Sequence, residues 1–250
     1  MLIVIDPGHG GRDRANRGPT GYVEADGTLA IAKACRCVLE AAGVKVIMTR
    51  ETDEDLAPPD KPYSVEADLI ARARIANNAK ANYFVSVHTN AFKDPAARGT
   101  ETHCYSTTSP GFKLAKTVQD AVVGALGTTD RGVKVSPQFI VLRYTAMPAV
   151  LVEVAYHTNP EEERLLKQPA FLRKAGEAVA VGILRFLGLP QPDYLEQKAL
   201  VEALQKEVAR LKDENVALRK SNLALLNVIR EARALLATAS AHIIEEGDDV

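Results

Sequence analysis

An α/β fold is predicted, with a mostly parallel central sheet flanked by helices and a long helix following it. Three observations carry this expectation. Short β-branched apolar runs alternate with helix-period stretches over residues 1–188, and that alternation implies a parallel sheet with helices on its faces. Pro190-Gln191-Pro192 then stops the pattern. Beyond it, residues 194–239 hold no Gly or Pro and are dominated by Ala, Leu, Glu, Lys and Arg, a composition for one long helix.

The strands are expected at Leu2–Ile5, Val44–Met48, Tyr83–Val87 and Ala149–Val154, which read as buried apolar runs. Between them, Asp26–Ala42 sets Ile31, Ala34, Cys35, Val38 and Ala42 on one helical face, and Gly43 closes it. Glu66–Lys80 aligns Leu69, Ile70, Ala73 and Ala76. Phe112–Leu126 and Ala170–Leu187 follow the same period. Glu51–Ser64, with Pro58, Pro59 and Pro62, reads as an excursion loop. The expected division is a catalytic domain at 1–188, a long helix at 193–240 and an acidic tail at 241–250.

Composition removes several function classes. Lys and Arg total 31 against 32 Asp and Glu, so no strongly basic face for nucleic acid is expected. The charge divides as +2 over residues 1–188 and −3 over 189–250, neither dense enough for a polyanion binder. The 3 cysteines do not make a disulfide framework, and Cys35 and Cys37 are spaced for neither a redox pair nor a zinc clip. No apolar run reaches the ~18 residues of a membrane span. Leu2–Ile5 runs directly into Asp6-Pro7-Gly8-His9 without the basic, apolar and small-residue regions of a leader, so synthesis in the cytoplasm is expected.

Four polar residues mark a candidate site. His9 follows the first strand, Glu24 precedes the first helix, His88 ends the third run and Glu153 interrupts the fourth. Ligands of open α/β sheets bind beyond the carboxyl ends of strands, where these four could meet. Two imidazoles and a carboxylate are a catalytic zinc set that leaves a position for water, and a second carboxylate could take the proton of that water. Taken singly, each also has an ordinary role. A strand-end His hydrogen-bonds, Glu24 favours a helix dipole, and Gly8, Gly10 and Gly11 serve a turn. Glu153 between Val152 and Val154 is the hardest to explain so, because an unpartnered buried carboxylate is costly.

These residues carry a resemblance. Ile5-Asp6-Pro7-Gly8-His9-Gly10-Gly11, Glu24, Thr49-Arg50, Arg72, Ala76-Asn77, Ser86-Val87-His88-Thr89-Asn90-Ala91, Gly99-Thr100-Glu101, Pro148 to Glu153 and Asn159 stand in order over residues 1–188. Together they resemble the zinc-dependent N-acetylmuramoyl-L-alanine amidases of the amidase type 3 family. The resemblance implies His9, Glu24 and His88 as zinc ligands and Glu153 as the catalytic carboxylate. It implies cleavage of the amide between the lactyl group of muramic acid and L-alanine in peptidoglycan. Ala155-Tyr156 stands where the family often carries Gly-Phe, so the local substrate wall differs. Asn90 and Arg143 are candidate substrate contacts and His157 a candidate neighbour of the ligands. His103 and His242 fit no ligand spacing and are expected at the surface. Two other functions stay open on the residues: a zinc carboxypeptidase acting on stem peptides, and a peptidoglycan-binding module without turnover. The missing leader suits a phage endolysin that reaches the wall after release by another protein.

The last segment has its own pattern. Leu204, Leu211, Leu218 and Leu225 recur every seven residues and Val201, Val208, Asn215, Asn222 and Ile229 take the other seam position. A coiled coil that pairs two copies is expected. A helix folded back on the catalytic domain, or recruitment of a partner helix, would use the same stripe.

Overall fold

The computed structural model describes the backbone of residues 1–191 and 194–245, and side chains at 1–191, 201 and 203–234. The chain divides into two units, Met1–Pro192 and Asp193–Val250.

In the first unit the order is β1 (Leu2–Pro7), α1 (Glu24–Ala41), β2 (Lys45–Met48), α2 (Val65–Asn78), β3 (Tyr83–Asn90), β4 (Thr100–Cys104), α3 (Pro110–Leu126), β5 (Asp130–Val135), α4 (Ile140–Arg143), β6 (Ala149–Tyr156), α5 (Pro160–Leu166) and α6 (Pro169–Leu187). The six strands form one sheet in the order β2-β1-β3-β6-β4-β5. The first four are mutually parallel, β4 runs antiparallel to β6, and β5 is parallel to β4. The expected α/β class therefore holds, with a reversal between β6 and β4.

Alternation along the strands sorts side chains into two cores. Ile3, Ile5, Val85, Val87, Val150 and Val152 face the layer that supplies Ile31, Leu39, Leu114, Val118, Val179 and Ile183 from α1, α3 and α6. Val4, Phe84 and Leu151 face the other way, onto Ala76 of α2 and Val141 and Leu142 of α4. Clearing this much aliphatic surface from water is the main force closing the sheet between its helices.

Four elements go beyond the expected ones. β4, Thr-Glu-Thr-His-Cys, is buried although almost wholly polar. Its hydroxyls are paired: Thr102 donates to Gln119 Oε1 at 2.8 Å and Thr100 to the Val154 carbonyl at 2.7 Å. β5 is a mostly exposed edge strand. α4 and α5 have 4 and 7 residues, too short for a periodic signal. Glu24 begins α1 instead of preceding it. His88 and Glu153 lie inside longer strands than expected, at partnered positions of β3 and β6. Cys35 and Cys104 are buried and Cys37 is exposed.

The second unit is α7 (Tyr194–Glu245), a single helix of 52 residues. Every described side chain on it is exposed, Leu204 at 55% and Leu218 at 62% among them. The expected acidic tail at 241–250 and His242 lie outside the described side chains. Among the described residues no helix is long and apolar enough to cross a membrane.

Candidate metal centre

β1 ends in Pro7, and the chain then turns through Gly8, His9, Gly10 and Gly11. His9 takes a left-handed backbone, φ 60°, a conformation a non-glycine residue adopts at a cost of order 1–3 kcal/mol. Two buried arginines hold it there. Arg72 donates to the carbonyls of Pro7 at 2.7 Å and His9 at 2.9 Å. Arg50 donates to Pro7 at 3.0 Å and Gly8 at 2.9 Å. The Arg72 charge is neutralised by Asp6 at 2.9 Å and Asp68 at 2.7 Å, all three side chains being almost wholly buried. Burial opposes ionisation of Asp6, but Arg72 with the hydroxyls of Thr49 and Ser86 holds its carboxyl below the ordinary range.

The turn brings back a carboxylate. Gly10 and Asp13 exchange two backbone hydrogen bonds of 3.1 and 2.9 Å. Gly10 has φ 127°, and a Cβ there would stand 2.3 Å from the Glu54 carbonyl oxygen. The result sets Asp13 Oδ2 2.8 Å from His9 Nδ1. His9 Nδ1 is then the donor, and Nε2 is turned to Glu24 Oε2 at 3.2 Å. Burial alone would lower the His9 pKa. The hydrogen bonds to Asp13 and Glu24 outweigh it and raise the ring to about 10.

Glu24 is 2% exposed. Its Oε1 accepts from the Thr89 backbone N–H at 2.9 Å and meets His88 Nδ1 at 3.2 Å. Burial works against its charge, but the two histidines hold it well below the usual carboxylate range. One donor atom each from His9, Glu24 and His88 fall within 4.8 Å of one another. Glu24 Oε2 meets His9 and its Oε1 meets His88, each at 3.2 Å, and ligand atoms around a tetrahedral zinc at ~2.1 Å are roughly 3.4 Å apart, so these three residues could hold such an ion. Gly8 packs under the His88 ring, where a Cβ would stand 2.2 Å from Cε1.

Glu153 lies beside these three, its Cα paired with His88 on β3 and with Glu101 on β4. Its Oε2 is buried without a hydrogen-bond partner. Burial, then the charges of Glu24 and Glu101, push its pKa well above the ordinary carboxylate value. Glu101 stays ionised. Hydrogen bonds from His103 and Arg131 outweigh burial and hold it at about 2. A cavity of about 310 Å³ is lined by Glu153, His9, His88 and Asp13 together with the apolar Val65, Leu69, Phe139 and Ile140.

Sequence-predicted residues thus fall in two groups. His9, Glu24, His88 and Glu153 come together. Asn90 donates to Glu101 Oε1 at 3.0 Å behind Glu153, and Arg143 is exposed at the end of α4, outside the cavity lining. His157 is 1% exposed, hydrogen-bonded with Thr89 Oγ1 at 3.0 Å and 3.9 Å from Glu24. His103 is not at the surface: it is buried in β4, with Nδ1 2.8 Å from Ser136 Oγ and Nε2 3.4 Å from Glu101. Its burial is stabilised by those partners, Glu101 on the same strand and Ser136 just beyond β5. Tyr156, in place of the family's Phe, is buried with the Arg131 guanidinium 5.0 Å above its ring.

Asn159, a motif residue, and the unmarked Glu162 and Glu163 that follow it fix the loops. Glu163 on α5 accepts from the backbone of Thr20 at 2.8 Å and Tyr22 at 3.1 Å, anchoring the segment that enters Glu24. Glu162 does the same for Gly99 at 2.9 Å and Tyr156 at 2.6 Å. Asn159 caps α5 through Glu161 and Glu162 and donates to the Pro95 carbonyl at 2.7 Å. For Glu162 and Glu163 the sequence signal is the Asn-Pro-Glu start of a helix.

Comparison with known proteins shows the family. A family model described as N-acetylmuramoyl-L-alanine amidase matches residues 3–185. The chain is 35% identical over 188 residues to the germination-specific N-acetylmuramoyl-L-alanine amidase of Bacillus subtilis, covering 74% of this chain and 79% of that protein. It is 38% identical over 195 residues to the endolysin of Bacillus phage SPP1, covering 75% of this chain and 66% of that one. The CwlD amidase of Clostridioides difficile, solved in complex with the GerS lipoprotein, superposes with a TM-score of 0.71 at 30% identity, covering 75% of this chain and 98% of that one.

Proposed function

Because the chain belongs to the N-acetylmuramoyl-L-alanine amidase family, we propose that it hydrolyses the amide joining N-acetylmuramic acid to L-alanine in peptidoglycan, with zinc held by His9, Glu24 and His88. The observation that carries this reading is the convergence of those three donors beside Glu153, whose Oε2 is buried and unpartnered.

A zinc ion bound there supplies Lewis acidity, polarising the scissile carbonyl and lowering the pKa of water to about 7. The chain's residues do the rest. Asp13 keeps the proton on His9 Nδ1, so Nε2 presents a lone pair to the metal. Thr89 and the two histidines hold Glu24 ionised. Glu153, whose pKa burial and the charges of Glu24 and Glu101 raise well above the ordinary carboxylate value, is the proton acceptor: its Oε2 takes the proton of the attacking water and passes it to the departing amine of L-alanine. The apolar lining of the cavity, Val65, Leu69, Phe139 and Ile140, excludes water from the reacting amide. Arg143 offers a cation to stem-peptide carboxylates, and Asn90 supports Glu101 and, through it, the charge state of Glu153.

The substrate is the wall polymer, reached after release from the cell, as for a phage endolysin. The α7 helix brings a second copy to the same polymer. Digestion of purified walls followed by mass analysis of the products tests the activity. Free lactyl carboxyl ends on muramic acid, lost on adding a chelator and regained with zinc, are expected. Loss of one terminal amino acid per stem would assign a carboxypeptidase instead, and binding without products a module without turnover.

A further inference from the structure

We infer that α7 is one strand of a parallel, in-register, two-stranded coiled coil with a second copy of this chain, holding two catalytic units at one end of a stalk. That the pair serves a wall hydrolase rests on the function proposed above; the pairing itself does not.

The starting observation is physical. A 52-residue helix carries Val201, Leu204, Val208, Leu211, Leu218, Leu225 and Ile229 along one seam, and all seven are exposed. Helices gain most of their stability from burying such a stripe, so this sequence is written for a partner.

Three features identify the partner as a second copy. The first is the seam itself. With Leu204, Leu211, Leu218 and Leu225 at d, the a positions are Val201, Val208, Asn215, Asn222 and Ile229. β-branched residues at a with Leu at d favour two strands. The second is Asn215 and Asn222. A buried a-position Asn is costly opposite an apolar residue and tolerable opposite another Asn. Two of them one heptad apart match only when the partner has Asn at the same places and the helices run parallel without a shift, which an identical chain provides.

The third is charge. In a parallel pair each g residue faces the e residue five positions on in the other copy. Glu207 then faces Lys212 and Glu214 faces Arg219. In an antiparallel pair g faces g and e faces e, setting Glu against Glu and Lys or Arg against its like. Within one helix Glu207 and Glu214 both pair with Arg210, at c, and Arg219 donates to Asn215 Oδ1 at 3.1 Å, so pairing with the other copy exchanges these exposed local contacts for Glu207 with Lys212 and Glu214 with Arg219. Past Asn222 the flanks become apolar, with Leu226 at e and Val228 at g both exposed, so burial takes over from charge there.

Each catalytic unit joins α7 at its N-terminal end, so parallel pairing brings two of them to the same end. On a polymer with repeated cleavable bonds, the first unit to bind raises the local concentration of substrate for the second.

The test uses the full chain. Sedimentation equilibrium at roughly 50 µM should give twice the chain mass of 27.0 kDa, the range where a coil of about four heptads pairs. Leu211→Lys with Leu218→Lys should return the chain mass. Val208→Cys in a Cys37→Ser background should oxidise to a covalent dimer, because a-position residues meet their own counterparts only in parallel register. The Leu211→Lys/Leu218→Lys protein should digest insoluble wall at least about tenfold more slowly than wild type while matching it on a soluble muropeptide. A monomeric wild type, a three- or four-chain mass, or failure of Val208→Cys to cross-link overturns the pairing. Equal wall digestion by the two proteins overturns its role on the polymer. The masses need no catalysis, so an inactive enzyme that still dimerises refutes the amidase reading alone.

Discussion

Asp13→Ala will weaken zinc binding by about 10- to 100-fold, or about 1.4–2.7 kcal/mol, without unfolding the protein. The perturbation is confined. Asp13 reaches Gly10 through its main chain, so the turn survives the loss of the side chain. What disappears is the acceptor 2.8 Å from His9 Nδ1. The ring then divides its time between tautomers and orientations, of which only some present Nε2 to Glu24. The two side chains are 16% and 19% exposed, so the bond is mostly shielded from water but not fully. That places the loss inside the usual range for an outer carboxylate behind a ligating histidine rather than at the scale of a lost ligand. Asp13→Asn keeps an oxygen acceptor at the same place and should stay within roughly threefold of wild type, because only charge assistance is lost. Competition against a chromophoric chelator measures the affinities, and a thermal melt of the chelated proteins checks the fold. Wild-type affinity in Asp13→Ala would refute the reasoning. So would equal losses in both variants with a lowered melting temperature.

Three further outcomes are expected. Glu153→Gln should retain stoichiometric zinc and lose at least about 10²-fold in kcat, because the amide cannot accept the water proton; metal analysis beside single-turnover digestion checks it. Gly8→Ala should fold but bind zinc poorly, since the new Cβ lies 2.2–2.6 Å from three atoms of the His88 ring and the ligand must swing aside; isothermal titration with zinc reads the loss. The third concerns pH. In the zinc-free protein the His9 pKa is raised from 6.5 to about 10, so its contribution to stability is complete below about pH 6.5 and fades as pH rises through 10. Melting temperatures of chelated protein should fall over that window, and His9→Gln should remove that part of the slope.

The sequence made the apolar half of the fold legible and the polar half much less so. β1, β3 and β6 are runs of Ile, Val and Phe, and burial on both faces is what such runs predict. β4 escaped notice because its burial is stabilised by hydrogen bonds to Gln119 and to the β6 backbone, partners distant in sequence and invisible to hydropathy. His103 was misplaced for the same reason. The residues brought together at the site had been marked by strand-end chemistry and motif. Their supports are legible only in part: Arg50 and Arg72 stand in the motif, but Asp13, Glu162 and Glu163 look like ordinary surface charges until the fold turns them onto His9 and onto backbone groups. Local pattern reports what a residue is, whereas these roles depend on where carbonyls and N–H groups of other segments arrive.

The strand order has a consequence in time. β6 is the last strand of the sheet to leave the ribosome, yet it lies between β3 and β4, near the middle. Until residues 149–156 insert, the sheet remains two separate pieces, and β3, which carries His88, is paired only with β1. Such pairing joins segments separated by about 60 residues in β3 and β6, and non-local closure of this kind comes late in folding. Glu153 therefore arrives with the strand that completes the sheet. A chain interrupted anywhere before it lacks both Glu153 and a finished core, so on the proposed function a partly made or truncated copy is expected to be hydrolytically silent.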